Sequence, residues 1–302
     1  MSNATVIKIE KLTKRYSGHT AVDDLTFTAE SGKVTGFLGQ NGAGKSTTLK
    51  ALLGLMEPTS GAATISSKRY LELPNPAKVI GVLIEENAFH PTRTGRSHLR
   101  ILARAAGLPT SRVDEVLRIV ELEKAADRKV KGYSLGMKQR LSLAAALLGD
   151  PKILVLDEPA NGLDPQGMHW LRDLLKDYAK SGRTVLISSH VLSEIAQIAD
   201  EIVMIHKGEL VKQTSLKKLL REAKGATRIS SSDARKLAKL LIANHLTLRN
   251  QSSDEIVVAS EDVNKVLAVA AKNNIEISEM ASENNLEDIF INLTDNHKGS
   301  KN

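Results

Sequence analysis

The sequence predicts an α/β protein: parallel strands around a glycine-rich loop, with an antiparallel β subdomain and a helical insert, followed by a small α+β unit. Three observations carry this. GQNGAGKST, residues 39–47, fits G-x-x-x-x-G-K-[ST] between a short apolar strand and a helical run. Ile153–Leu156 is continuously apolar and Thr184–Ser188 reads the same way up to its last residue, as strands covered on both faces should be. After residue 222 short strands and helices alternate afresh. A chain of 302 residues also exceeds what one core usually supports, roughly 250–300 residues. Two domains are expected, at 1–222 and 223–302.

The elements follow in chain order. Residues 5–16 and 20–30 read as two strands (Val6, Ile7, Ile9; Val22, Leu25, Phe27) with Gly18 at the turn. Val34–Leu38 is a strand running into the glycines, and Thr47–Leu53 is the helix after them. Ile80–Glu85 reads as another strand. Over about 87–150 apolar residues recur at helical spacing in three groups: Leu99, Leu102, Ala103, Ala106; Val113, Val116, Leu117, Val120; Leu141, Ala144, Ala145, Leu148. Gly149, Asp150 and Pro151 stop the last of these. Asp164 caps the next helix, with Pro165 at its first position, and Ser181-Gly182 ends it. Residues 201–213 form a hairpin turning at Lys207-Gly208, and a basic helix follows near 215–224. The second unit then reads strand Thr227–Ser230, helix Ala234–His245, strands Leu246–Asn250 and Glu255–Ala259, helix Val263–Asn273, strand Ile275–Ser278 and a final helix Leu286–Leu293. Its first six elements, βαββαβ, are the ferredoxin-like order.

Composition narrows the function classes. With 41% hydrophobic and 25% charged residues the chain reads as soluble and globular. Aromatics are 3%, so the core is aliphatic and no base-stacking platform is expected; no nucleic-acid partner is expected either. The absence of cysteine removes disulfides and thiolate metal sites and fits a reducing compartment. The start, MSNATVIKIEKLTKRY, alternates like a strand and lacks the apolar centre of a signal peptide. No apolar run approaches the ~20 residues that cross a bilayer, so work at a membrane requires another chain to do the crossing. The net charge of +7 permits acidic partners, although a solvated surface accounts for it as well.

The glycine-rich loop has a specific chemistry. Gly39, Gly42 and Gly44 let backbone N–H groups of the run Gln40, Asn41, Ala43 and Thr47 turn toward phosphate oxygens. The following helix presents its positive end. Lys45 reaches the β- and γ-phosphates and the Ser46 hydroxyl holds Mg²⁺. ILVLDEP places Asp157 and Glu158 at the end of the most apolar strand, where open α/β sheets bind ligands. Asp157 suits Mg²⁺, and Glu158 suits a general base for the water that attacks the γ-phosphorus. His190, in SSH at the end of the next strand, falls on the same edge and can orient the base or the γ-phosphate. The remaining histidines, His19 among them, have no such context. Together these make the core a P-loop nucleotide-binding domain that works with Mg²⁺.

One stretch stays unused by this site. In YSLGMKQR, residues 133–140, Ser134 caps a helix and Gly136 leaves its first turn uncrowded, an anion site without a lysine. The phosphate loop, this stretch, ILVLDEP, NGLD and SSH occur in the order and at the approximate spacings of ABC-type (ATP-binding cassette) transporter subunits, which residues 5–215 resemble. The resemblance implies that Ser134 and Gly136 cap the γ-phosphate held by a second copy, so that ATP joins two chains head to tail. It implies that Tyr16 stacks on adenine, and that Asn161, Gly162, Leu163 and Asp164 form the loop crossing to the partner nucleotide. Glu85 would stand at the metal and water contact, where the family has glutamine; Leu135 replaces a glycine and Met137 a glutamine. The wording SLGMKQRL and DEPANGLDPQG, with the appended C-terminal unit, most resembles bacterial exporters of drugs, antibiotics and antimicrobial peptides. The implied protein is an ATPase subunit on the cytoplasmic face of the cell membrane, bound to separate permease chains. The alternative is a soluble ATPase of the same family acting on nucleic acid or ribosomes; it predicts tandem cassettes or basic–aromatic surfaces, which the sequence lacks.

Overall fold

The computed structural model describes residues 6–84, 89–223, 226–259 and 262–282. The chain divides into two compact units at Gln213/Thr214, nine residues before the boundary read from the sequence.

In the first unit β1 (Ile7–Tyr16) and β2 (His19–Ala29) pair antiparallel, and β4 (Ser60–Ile65) adds to the free side of β1. The second sheet has β3 (Val34–Leu38), β5 (Ile80–Leu83), β6 (Ile153–Asp157), β7 (Thr184–Ser189), β8 (Glu201–His206) and β9 (Glu209–Ser215). Their spatial order is β5-β6-β7-β3-β8-β9, with β5 to β8 and β3 joined by parallel ladders. β3, β6 and β7 are buried at every residue, which explains the apolar runs Ile153–Leu156 and Val185–Ile187 within them. On one face lie α1 (Lys45–Leu52) and the three-stranded sheet: Ile7, Ile9, Phe27, Phe37, Leu49, Val155, Leu186 and Val203 share one apolar cluster, with the Phe27 and Phe37 rings 5.0 Å apart. α7 (Leu192–Ile198) presses on β3 at Gly36, where an added Cβ would stand 2.3 Å from Ile195 Cγ2.

The insert comprises α3 (Gly95–Ala105), α4 (Arg112–Ile119) and α5 (Leu135–Leu147). α2 (Pro76–Val79), a single turn, leads into β5, and α6 (Pro165–Lys180) follows the β6 edge. Arg140 of α5 lies 4.3 Å over the Trp170 ring of α6 and donates to the Val120 carbonyl at 3.1 Å, so this basic residue is tied into the packing.

The second unit opens with α8 (Leu216–Ala223). Then come β10 (Ala226–Ser230), α9 (Ala234–Ala243), β11 (Leu248–Gln251), β12 (Glu255–Ala259), α10 (Val263–Lys272) and β13 (Glu279–Ser282). The sheet order is β11-β12-β10-β13, each pair antiparallel, and Ile229, Leu237, Leu241, Ile256, Val258 and Val266 form its core. The last strand lies four residues later than the expected Ile275–Ser278. The Ile275 N–H closes α10 on the Ala270 carbonyl and Asn274 is left-handed at φ 52°, so the backbone joins the ladder only after Ser278. The helix expected over Leu286–Leu293 lies outside the described residues. Among the described residues no helix is long and apolar enough to cross a membrane.

Candidate active site

The site gathers at the ends of β3, β6 and β7. β3 ends at Leu38, and the loop 39–44 returns to start α1 at Lys45. Gly42 and Gly44 have φ of 80° and 104°, and a Cβ on Gly44 would sit 2.6 Å from the Ala21 carbonyl oxygen. Only glycine satisfies both the left-handed backbone and the close approach. Lys45 is buried, its Nζ 2.6 Å from the Gly39 carbonyl and 3.4 Å from Glu158 Oε1. The ammonium thus stands inside the loop, between the Gly39 carbonyl and the Glu158 carboxylate.

Ser46 Oγ donates to Asp157 Oδ2 at 2.8 Å. These are two hard oxygen donors side by side, which suits Mg²⁺. Among the described residues no three His, Cys, Asp or Glu make a cage, and Mg²⁺ is usually bound by one or two carboxylates plus phosphates and water rather than by such a cage. Glu158 follows at φ 48°. That left-handed turn at the strand end brings its carboxylate round to Lys45 and to His190, whose Nδ1 is 2.9 Å from Glu158 Oε2. The Glu158 carbonyl accepts from Gln139 Nε2 of α5 at 3.3 Å.

An open cleft of about 790 Å³ runs along the loop, lined by Tyr16, His19, Ala21, Gln40, Asn41, Gly42, Gly44, Lys45, Ser46, Thr47 and Glu158. Tyr16 is 51% exposed and its ring is held at the rim by its hydroxyl on Met56 Sδ at 3.0 Å. Ala43, by contrast, is buried. Tyr16 and Lys45 both line this one cleft.

Ser134, Gly136 and Asp164 are not among the cleft's lining residues. Ser134 caps α5 by accepting the Met137 N–H at 3.2 Å. Asp164 caps α6 through the Gly167 N–H at 2.8 Å. Leu135 lies against Gly162, where a Cβ would be 2.3 Å from Leu135 Cδ2, so the α5 start and the 161–164 loop form one surface. Glu85 lies outside the described residues.

The sequence reading missed three neighbours. His19 lines the cleft, although nothing around it in the sequence marked it. Gln139 is buried on the apolar side of α5, where a buried amide needs a partner. Ser188 is buried in register with Asp157; a polar residue at the end of an apolar strand was the available signal.

What these strand ends bring together is the equipment of a P-loop ATPase. A sequence profile described as ABC transporter matches residues 22–161. The bacitracin transport ATP-binding protein BcrA of Enterococcus faecalis is 39% identical over 295 residues, covering 95% of this chain and 96% of that protein. Among solved structures, the ATP-binding subunit of an ABC transporter is similar with a TM-score of 0.65 at 30% identity, over 72% of this chain and 92% of that one. A bacterial ABC transporter cassette solved as a dimer is similar with a TM-score of 0.62 at 25% identity, over 70% of this chain and 98% of that one. The chain belongs to the ABC transporter family, as one of its ATP-binding and ATP-hydrolysing subunits.

Proposed function

We propose that this chain hydrolyses ATP to drive a separate transmembrane permease that exports antibiotics or antimicrobial peptides, and that it works as a dimer on the cytoplasmic face of the membrane. Each of two ATP molecules lies between the Lys45 loop of one copy and the α5 start of the other. The observation that carries the reading is the convergence of Lys45, Ser46–Asp157 and Glu158–His190 on one edge while Ser134 and Gly136 at the α5 start do not line that cleft. The dimeric form of the similar cassette and the bacitracin transport of BcrA support the assembly and the cargo class.

The geometry and the resemblance together support the following roles. Tyr16 offers a π-face to adenine. Backbone N–H groups of the loop, apart from those of Gly39 and Ala43 that bond the Ser189 and Gln40 carbonyls, and the Lys45 ammonium hold the phosphates. Ser46 and Asp157 would hold Mg²⁺, which would supply positive charge to offset that of the phosphates. Glu158 takes a proton as water attacks the γ-phosphorus and the bond to the β–γ bridging oxygen breaks, giving ADP and phosphate. His190 fixes the Glu158 carboxylate through Oε2. Ser134 and Gly136 of the partner copy donate to the γ-phosphate, and Asp164 shapes the loop beside them. By resemblance, Glu85 would contribute to the metal and water contact.

Glu158→Gln keeps the shape and removes the base. ATP still binds, turnover falls by about 100-fold or more, and an ATP-dependent dimer accumulates on size-exclusion chromatography. A variant that turns over ATP at the wild-type rate removes Glu158 from its role.

A further inference from the structure

We infer that Ser188 is a positioning residue for both carboxylates of the hydrolytic site; the inference rests on the roles proposed for Asp157 and Glu158. Ser188 lies on β7 at 0% exposure, directly across the ladder from Asp157. Its hydroxyl donates to Asp157 Oδ1 and accepts from the Glu158 backbone N–H at 3.1 Å. The same N–H also reaches the Ser188 carbonyl at 3.2 Å. Asp157 Oδ2 takes the Ser46 hydroxyl. A continuous chain of hydrogen bonds therefore runs from Ser46 through Asp157 and Ser188 to Glu158.

Two effects follow. Anchoring Oδ1 on Ser188 fixes the rotation of the Asp157 carboxylate and leaves Oδ2 aimed at Ser46, the oxygen pair a divalent cation would share. Pinning the Glu158 N–H helps hold that residue at φ 48°, a region L-residues avoid unless their surroundings impose it. Without the hydroxyl only the Ser188 carbonyl holds this N–H, and the Glu158 carboxylate is held less firmly toward Lys45 and His190. The strand itself does not call for serine: Val185, Leu186 and Ile187 before it are buried and apolar, and a buried hydroxyl is costly unless bonded. Both roles of this hydroxyl, donor and acceptor, are used on functional groups.

The test separates positioning from general support. Equilibrium binding of ATP is measured with and without Mg²⁺, alongside kcat and the melting temperature, for Ser188→Ala, Ser188→Cys and Ser188→Thr. Partners that orient metal ligands cost about 10–100-fold in metal affinity or activity when removed. Ser188→Ala is expected to bind metal-free ATP as the wild type does, to lose most of the affinity that Mg²⁺ adds, and to drop kcat about 10–100-fold. Cysteine, similar in size but a poor donor, gives the same split if the alanine variant is too unstable to assay. Threonine restores both quantities to within about threefold of the wild type. Wild-type Mg²⁺ dependence in the alanine or cysteine variant overturns the inference, and so does an equal loss of metal-free ATP binding, which would mean the loop had collapsed. If Glu158→Gln retains turnover, the base assignment falls while the Mg²⁺ readout at Ser188 and Asp157 still stands or fails by itself.

Discussion

The two units contain sheets closed by the same physics, yet among the described residues only the first concentrates polar groups at an edge. In the first unit β3, β6 and β7 are buried throughout, and around their last residues lie buried Lys45, Asp157, Ser188 and Ser189. In the second, the core residues Ile229, Ile256 and Val258 are flanked by buried Thr227 and Ser231. Ser231 serves the backbone, donating to the Glu276 carbonyl at 2.6 Å and accepting the Asp233 N–H at 3.2 Å. The difference lies in connectivity. Parallel strands all end at one edge, so successive crossovers deliver several loops to the same place. Antiparallel strands send alternate loops to opposite ends.

If this contrast is right, damage to the first sheet's edge should remove chemistry and damage to the second unit should cost only stability. Lys45→Ala is expected to weaken ATP binding by about 100-fold, roughly 2.7 kcal/mol, with little change in melting temperature; calorimetric titration reads it, and near-normal affinity would break the contrast. Leu241→Ala opens a cavity in the second core and should destabilise that unit by about 2–5 kcal/mol. ATP affinity should stay within about twofold of the wild type, and denaturation monitored beside ATP titration sharpens the point. Ser134→Ala removes the α5 cap at a cost of about 1 kcal/mol, visible as a small fall in melting temperature without loss of monomer ATP affinity.

The smallest effect is one of pH. Burial, with the nearby Arg93 charge, lowers the His98 pKa from its ordinary 6.5. Neutral His98 therefore contributes stability that is present above pH 6.5, and is lost as pH falls through the lower folded value, because the unfolded chain takes up the proton first. His98→Leu should flatten the fall in denaturation midpoint between pH about 7 and about 5. An unchanged slope would assign it to other groups.

Much of this was legible because function fixed unusual residues at unusual places. Glycines at φ 80° and 104°, a lysine after them, and acids closing an apolar strand each contradict ordinary packing. β4, with the sequence SGAATI, was not legible: its residues are small and its place is set by pairing with β1, a register the local pattern does not encode. α7 was too short, at seven residues, to show a period. Ile275 and Ile277 look like a strand because they pack inward, yet the helix cap before them uses the backbone. Ser188 and Gln139 escaped notice since their meaning lies in partners 31 and 19 residues away.

The central claim is that one ATP site is built from two copies, and mixing two inactive variants tests it most directly. Ser134→Arg spoils the α5 surface and keeps Glu158; Glu158→Gln does the reverse. In an equimolar mixture of the purified variants, about half the dimers contain one of each, and each such dimer has one site with Glu158 and an intact partner Ser134. ATPase activity should return to about a quarter of the wild-type rate, as random pairing and independent sites require. A mixture as inactive as its two components would mean that both residues serve the same chain's nucleotide, and would contradict the shared site.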